Sequence, residues 1–254
     1  MADAPVFLVQ LTDSHLRDDD PSRLASLTAA VDRVLALGVA PSAVIATGDI
    51  ADQGRASEYA DAAAQFARLD APLVVLPGNK DDRAAMREAF GLPGAPEDRV
   101  QSVSTHGGLR IIACDSQIPG DFPGDLDLAW LEEQLAADRL TPTVIAMHHP
   151  PYRIGVTALD AMGFQPAQRA ALDALLTESP NVLRVIAGHV HRASFGTIGG
   201  VPATTASSVS FQIGLDLNDG PVDLRPDEPA AFSAHVLVDG DLVTHVHPVV
   251  PAAG

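Results

Sequence analysis

A single cysteine, Cys114, excludes an intrachain disulfide and a thiolate metal cage. Long apolar runs are missing too. None approaches the roughly 18 residues that a membrane-spanning helix needs, so no membrane partner is expected. The first residues, Met1-Ala2-Asp3-Ala4-Pro5, lack the basic and apolar regions of a secretory leader, and the chain reads as cytoplasmic. Positive charge is scarce: 16 basic residues face 33 acidic ones, for a formal charge of −17. Such a field repels polyanions and argues against a nucleic-acid duplex as partner. It also opposes a phosphate substrate unless local positive charge offsets it, and bound metal ions are the simplest source. Lysine is almost absent: 15 of the basic residues are arginine, and the exception is Lys80.

The chain has 254 residues, 46% hydrophobic and 19% charged, an ordinary globular composition with ample material for a core. Residues 1–254 are read as one domain. Six short runs rich in Val, Ile and Leu each end in a polar cluster: Val6–Leu11, Ala43–Ala46, Leu73–Leu76, Leu109–Ala113, Thr143–Met147 and Val182–Ala187. Continuous apolar runs of this length fit strands covered on both faces. Helical patterns lie between most of them. Ser22 is expected to cap a helix through about Gly38, and Ser57 another through about Leu69. Asp81–Phe90, Leu126–Leu140 and Pro166–Leu176 follow. Strands alternating with helices give βαβ units, whose ligand sites lie at the C-terminal ends of the strands. In the last quarter Ser194–Ile198, Val201–Ala206, Phe232–Val238 and Leu242–Val246 read as strands, with hairpin turns at Gly199-Gly200 and Asp239-Gly240. Residues 193–250 are therefore expected to supply a second sheet and a C-terminal hairpin, with Asp216–Pro229 as a surface loop.

Seven potential ligands stand at the strand ends: Asp13, His15, Asp49, Asn79, His148, His189 and His191. This nitrogen and oxygen set suits borderline divalent ions such as Mn, Fe, Zn or Co. Seven donors exceed the three or four of a single open catalytic site, so two ions sharing one carboxylate fit better. Asp13 and His15 are two apart, as are His189 and His191, and on a regular strand each pair would face one side. Gly48 and Gly78 precede Asp49 and Asn79 and let the backbone bend at a crowded site.

Asp13-x-His15, Gly48-Asp49, Gly78-Asn79, His148 and Gly188-His189-x-His191 resemble the five ordered motifs of the calcineurin-like metallophosphoesterase superfamily, over residues from about 6 to 192. The resemblance implies a four-layer αββα sandwich and a dinuclear centre. It places Asp13, His15, Asp49 and His191 on one metal. Asp49 bridges to the second, which Asn79, His148 and His189 complete. A water bridging two metals is acidified, and the resulting hydroxide attacks phosphorus in line with the leaving group. Gly48-Asp49-Ile50-Ala51-Asp52-Gln53-Gly54 and His148-His149-Pro150-Pro151 resemble the bacterial class III cyclic-nucleotide phosphodiesterases and the related glycerophosphodiesterases. That branch implies small phosphodiester substrates. Phosphomonoesterases, UDP-diacylglucosamine pyrophosphohydrolases and non-catalytic scaffolds are the alternatives on the same motifs. A homodimer or larger homo-oligomer is expected, with the C-terminal hairpin offering an edge strand.

Lys80 departs from that branch, where histidine usually follows the asparagine. Imidazole suits general acid work near neutral pH, whereas an ammonium suits a phosphate oxygen as a point charge. Lys80 is expected to contact substrate phosphate; the alternative pairs it with Asp81 or Asp82. Asp52 is expected to orient a ligand, and His149 either does the same or supports Pro150-Pro151. Asp115 reads as an Asx-turn at a strand end, and His245 and His247 as part of a solvated or interface strand. His106 and His235 carry no signal.

Overall fold

The computed structural model describes residues 6–218 and 220–249, so the expectations for the first five residues lie outside it. In chain order the elements are β1 (Phe7–Leu11), α1 (Pro21–Leu35), β2 (Ala43–Thr47), α2 (Ala56–Ala67), β3 (Leu73–Leu76) and α3 (Arg83–Phe90). Then come β4 (Ser102–His106), β5 (Leu109–Ala113), α4 (Leu128–Ala137), β6 (Thr143–Ala146), α5 (Thr157–Asp160), α6 (Pro166–Thr177) and β7 (Val182–Ala187). The remainder is β8 (Ser194–Ile198), β9 (Val201–Thr205), β10 (Gln212–Ile213), β11 (Leu224–Arg225), β12 (Ala231–Val238) and β13 (Asp241–Pro248).

Two sheets face each other. One has the order β13-β12-β1-β2-β3, the other β4-β5-β6-β7-β9-β8. All six apolar runs of the sequence form strands, three in each sheet, and they are parallel within each sheet. Alternate residues serve two different cores, which explains why these strands carry no polar face. Leu8, Ile45, Leu76, Ile111, Val144 and Ile186 fill the space between the sheets. Phe7, Val9, Val44 and Val75 pack outward on Leu27, Val31, Tyr59, Phe66 and Met86 of the first three helices. Ile112, Ile145 and Val185 pack outward on Leu131, Leu135, Leu172 and Leu176 of α4 and α6. The result is the helix–sheet–sheet–helix sandwich expected from the motifs.

Apart from the two-residue strands β10 and β11, which pair only with each other, the strands after residue 193 join the two large sheets and do not form one of their own. The β8–β9 hairpin extends the sheet of β5, β6 and β7, with β9 parallel to β7. The β12–β13 hairpin instead adds antiparallel to β1 in the other sheet. Two features escape the sequence pattern. Strand β4 is polar and mostly exposed, an edge strand turned by Gly107-Gly108 at φ 58° and 82°. Helix α5 is a single short turn. The helix caps also differ from expectation. Asp20, not Ser22, caps α1 by accepting from the Ser22 N–H, with Pro21 in the first turn. At α2 the Glu58 carboxylate accepts from the N–H of Arg55. No helix among the described residues is long and apolar enough to cross a membrane.

Candidate metal centre

The C-terminal ends of β1, β2, β3, β6 and β7 meet along one rim of the sandwich, and the loops leaving them are stitched together. Gln10, buried at the end of β1, donates to Thr47 Oγ1 and to the Ala187 carbonyl, both at 2.9 Å, which ties one sheet to the other just below the loops. Above it the Asp13 N–H donates to the Gly48 carbonyl at 3.0 Å, and the His15 N–H to that of Asp49 at 2.9 Å. Gly188 N–H donates to the His148 carbonyl at 3.0 Å. The His189 N–H reaches the Asp13 carboxylate at 3.1 Å, and the Lys80 N–H reaches Asp49 Oδ1 at 2.8 Å.

Asp13 and His15 do not converge by strand alternation. Strand β1 ends at Leu11, and both residues adopt left-handed backbone, φ 55° and 46°; Asp49, His189 and His191 do likewise at 48°, 71° and 50°. Among the described residues seven non-glycine residues have positive φ, and these five are the ones the motifs nominate. Each such conformation costs of order 1–3 kcal/mol and persists only where the surroundings impose it. The glycines serve the same crowding: a Cβ on Gly48 would fall 2.6 Å from His148 Nδ1, and one on Gly78 2.7 Å from His148 Cε1.

The side chains form two groups joined at Asp49. In the first, His15 Nε2 lies 3.0 Å from His191 Nε2 and 3.4 Å from Asp49 Oδ2, and His191 Nε2 lies 3.4 Å from Asp13 Oδ1. In the second, Asn79 Oδ1 lies 3.0 Å from His189 Nδ1 and 3.2 Å from His148 Nε2, and that nitrogen is 3.6 Å from Asp49 Oδ2. Apart from Asn79, which is partly exposed, all are buried.

The hydrogen-bond network assigns the tautomers. His15 Nδ1 donates to Asp52 Oδ1 at 2.8 Å, His148 Nδ1 to the Thr47 carbonyl at 2.8 Å, and His191 Nδ1 to the Phe211 carbonyl at 2.8 Å. All three then turn an Nε2 lone pair toward the cluster centre. The lone pairs of His15 and His191 face each other at 3.0 Å, and that of His148 faces Asn79 Oδ1 and His189 Nδ1, both at 3.2 Å. Facing acceptors repel unless a cation or proton lies among them. His189 Nε2 is buried without a hydrogen-bond partner, so the cluster accounts for that ring only through Nδ1. The donor set, its shared carboxylate and its inward lone pairs fit two cations of the borderline class.

Electrostatics agree. Burial holds the His189 imidazole well below its ordinary pKa, aided by the neighbouring imidazoles, and holds His191 down to about 4. Burial opposes charge on His15 as well, yet Asp52, Asp49 and Asp13 outweigh it and raise that pKa. For Asp49 burial favours the neutral acid, but His148 and His15 prevail and keep it ionised. Asp52, bonded to His15, is lowered to about 2.

His149 falls inside the cluster, yet both its nitrogens are engaged. Nε2 donates to the Phe122 carbonyl and Nδ1 accepts from Ser116, each at 2.9 Å, so it has no lone pair for a metal and supports the loop instead. Asp115 does form an Asx-turn, accepting from the Gln117 N–H at 2.9 Å, and it also grips Arg83. Arg17 pairs with Asp19 and Asp52, and Arg153 with Asp160. His247 stacks on Phe232 far along the chain from the cluster, and His245 is exposed on β13. The pairing of Lys80 with Asp81 or Asp82 is not found. Asp81 is buried, accepting from Ile50, Ala51, Gly78 and Tyr59, and Asp82 caps α3. Lys80 is exposed, and its ammonium lies over the Phe122 ring, 5.4 Å from the centroid.

Three participants carried no signal in the sequence. Asp81 joins the β2 and β3 loops through backbone donors. Ser116 fixes His148 and His149 by accepting from both N–H groups. Phe211 packs against the rings of both His15 and His191, at 5.2 and 4.6 Å between centroids. It lies just before Asp216–Pro229, which is not wholly irregular: β11 within it pairs with β10, and Glu228 grips Arg192. Residue 219 of that loop is outside the described residues.

Comparison with known proteins gives the chain's family and fold. The calcineurin-like phosphoesterase family profile matches residues 8–193. A cAMP/cGMP dual specificity phosphodiesterase from Mycobacterium tuberculosis is 34% identical, over 97% of this chain and 80% of its own. A probable glycerophosphodiester phosphodiesterase from Arcobacter nitrofigilis is 30% identical over 94% of this chain and 92% of its own. Among solved structures, a dimetal phosphatase from Danio rerio superposes with a TM-score of 0.74 at 15% identity, covering 97% of this chain and 98% of that one, a likeness of fold.

Proposed function

This chain belongs to the calcineurin-like phosphoesterase family and is a metal-dependent phosphodiesterase, and we propose that it hydrolyses small phosphodiesters of the cyclic-nucleotide or glycerophosphodiester type at a centre built on Asp49. In this reading Asp13, His15 and His191 hold one cation, and Asn79, His148 and His189 the other, with Asp49 shared. The observation that carries it is the strained, inward-facing donor set: five ligand candidates in left-handed backbone, and the Nε2 lone pairs of His15 and His191 turned on each other. Bound there, two cations supply charge against the phosphoryl oxygens and the acidity that makes water a nucleophile at neutral pH.

The chain's own residues do the rest. Asp52, the Thr47 carbonyl and the Phe211 carbonyl engage the Nδ1–H of three imidazoles and so keep their Nε2 atoms aimed at the centre. Asn79 contributes an uncharged oxygen, which keeps the centre from accumulating a third carboxylate. Lys80 places a cation at the mouth, where a diester monoanion meets a protein of net charge −17. That overall charge repels a monoester dianion more than a diester monoanion, which favours diesters. We further read the chain as cytoplasmic, and as a homodimer or larger homo-oligomer that pairs through the edge strand β13.

The test compares rates on bis(p-nitrophenyl) phosphate and p-nitrophenyl phosphate, with Mn²⁺ and with chelator. A faster diester rate abolished by chelator is expected. A faster monoester rate, or a rate that chelator leaves intact, would overturn the proposal.

A further inference from the structure

The loop between β5 and α4 places one apolar ring beside the candidate metal centre. Phe122 is 50% exposed, an unusual position for a phenylalanine with no partner strand or helix to cover it. Its backbone is nonetheless fixed. The Phe122 carbonyl accepts from His149 Nε2 at 2.9 Å, and His149 in turn packs on the His189 ring at 4.6 Å between centroids. Gly124 closes the loop against His149 so tightly that a Cβ there would fall 2.6 Å from His149 Cγ. A bridge between Gln117 and Gly124 seals the base of the loop, and Gln117 Nε2 donates to the Asp81 carbonyl, on the loop that carries Asn79 and Lys80. From that side the Lys80 ammonium covers one face of the ring at 5.4 Å, within cation–π range. Phe122 therefore reaches the centre by two short routes, one through His149 to His189 and one through Lys80 to Asn79.

A fixed, half-open aromatic ring next to a cation and a candidate phosphate site matches one chemical class of ligand: a planar base joined to a phosphate. We propose that Phe122 contacts substrate as a stacking surface for the base of a nucleotide, and so favours cyclic nucleotides over glycerophosphodiesters. The inference rests on the phosphodiesterase reading above. Stacking of a base on an aromatic side chain contributes about 5- to 100-fold in affinity, whereas a glycerol or ethanolamine group has no π-face to offer the ring.

The experiment uses the metal-loaded full chain, as wild type, Phe122→Ala and Phe122→Tyr. Two measurements are made: kcat/KM on 3′,5′-cyclic AMP and on glycerophosphoethanolamine, and the affinity of AMP and of inorganic phosphate by calorimetry. For Phe122→Ala we expect kcat/KM on the cyclic nucleotide to fall about 5- to 100-fold, mainly through KM, with the glycerophosphodiester changed less than about 2-fold. AMP affinity should fall in parallel while phosphate affinity holds, and Phe122→Tyr should restore both. Equal losses on the two diesters, or unchanged AMP affinity in Phe122→Ala, would overturn the stacking role. The binding arm separates this from a failure of the phosphodiesterase reading. A wild type that cleaves neither diester refutes that reading, while the dependence of AMP affinity on Phe122 still decides the stacking role.

Discussion

His235 Nε2 donates to Gln10 Oε1 at 3.1 Å, joining residues 225 positions apart. Gln10 passes the connection to Thr47 and Ala187, which immediately precede Gly48-Asp49 and Gly188-His189, and His235 Nδ1 accepts from Thr244 at 2.8 Å. The C-terminal hairpin is thereby tied by buried polar groups to the strand ends that carry the candidate ligands.

That bond gives a pH prediction. Burial, with Arg184 adding to it, lowers the His235 pKa to about 3 from an ordinary 6.5. The folded state needs the neutral ring, so as pH falls the unfolded chain takes up a proton first. The contribution is complete above about pH 6.5 and is lost progressively toward pH 3. His235→Gln should therefore flatten the decline of unfolding free energy across that window, read by urea denaturation at several pH values. A decline as steep in the variant as in wild type would refute this role. Depressed His191 and His149 contribute to both proteins, so the difference isolates His235.

Asp52 governs His15. With Asp52→Asn the carboxylate that fixes the Nδ1–H tautomer becomes an amide, which can present its NH₂ to the ring instead. Loss of such an outer partner typically costs about 10- to 100-fold in metal affinity or activity. Metal titration of the variant should show one weakened site, with kcat falling alongside. Wild-type affinity at both sites would show that His15 needs no orienting carboxylate.

Lys80 stands exposed at the mouth, with Asp81 and Asp82 engaged elsewhere. Lys80→Ala should lower kcat/KM on a phosphodiester by more than about 3-fold, and Lys80→Arg should retain most of it if charge alone is required. A change smaller than that in Lys80→Ala would remove Lys80 from the substrate's surroundings.

The ligand candidates were legible because metal chemistry demands particular side chains at strand ends, and both layers of strands announced themselves by apolar runs. The route by which Asp13 meets His15 was not legible. It depends on left-handed backbone beyond the strand, which only the assembled rim imposes. Asp81, Ser116 and Phe211 were also hidden, because each acts through backbone groups or through contacts distant in sequence. The division of the C-terminal strands between two sheets depends on β12 pairing with β1 and β9 with β7, and local propensity does not encode such long-range pairings. Edge strand β4 was missed because it lacks the apolar pattern that a buried strand carries.

Gly188 tests whether the rim tolerates any added volume. A Cβ there would run into Thr12 Oγ1 and come within 2.8 Å of Asp13 Oδ2 and 3.2 Å of the Thr47 carbonyl. Thr12 Oγ1 donates to Asp13 Oδ2 at 2.7 Å, so the intruding carbon would displace the carboxylate and the hydroxyl that orients it. Overpacking of this kind costs about 1–3 kcal/mol, which a sandwich with three apolar clusters around the two sheets should survive. Gly188→Ala is thus expected to keep a cooperative thermal transition while losing bound metal and diesterase activity together. Full metal content in a folded Gly188→Ala protein would show that Asp13 can shift without loss of the centre, and would take Asp13 out of the ligand set.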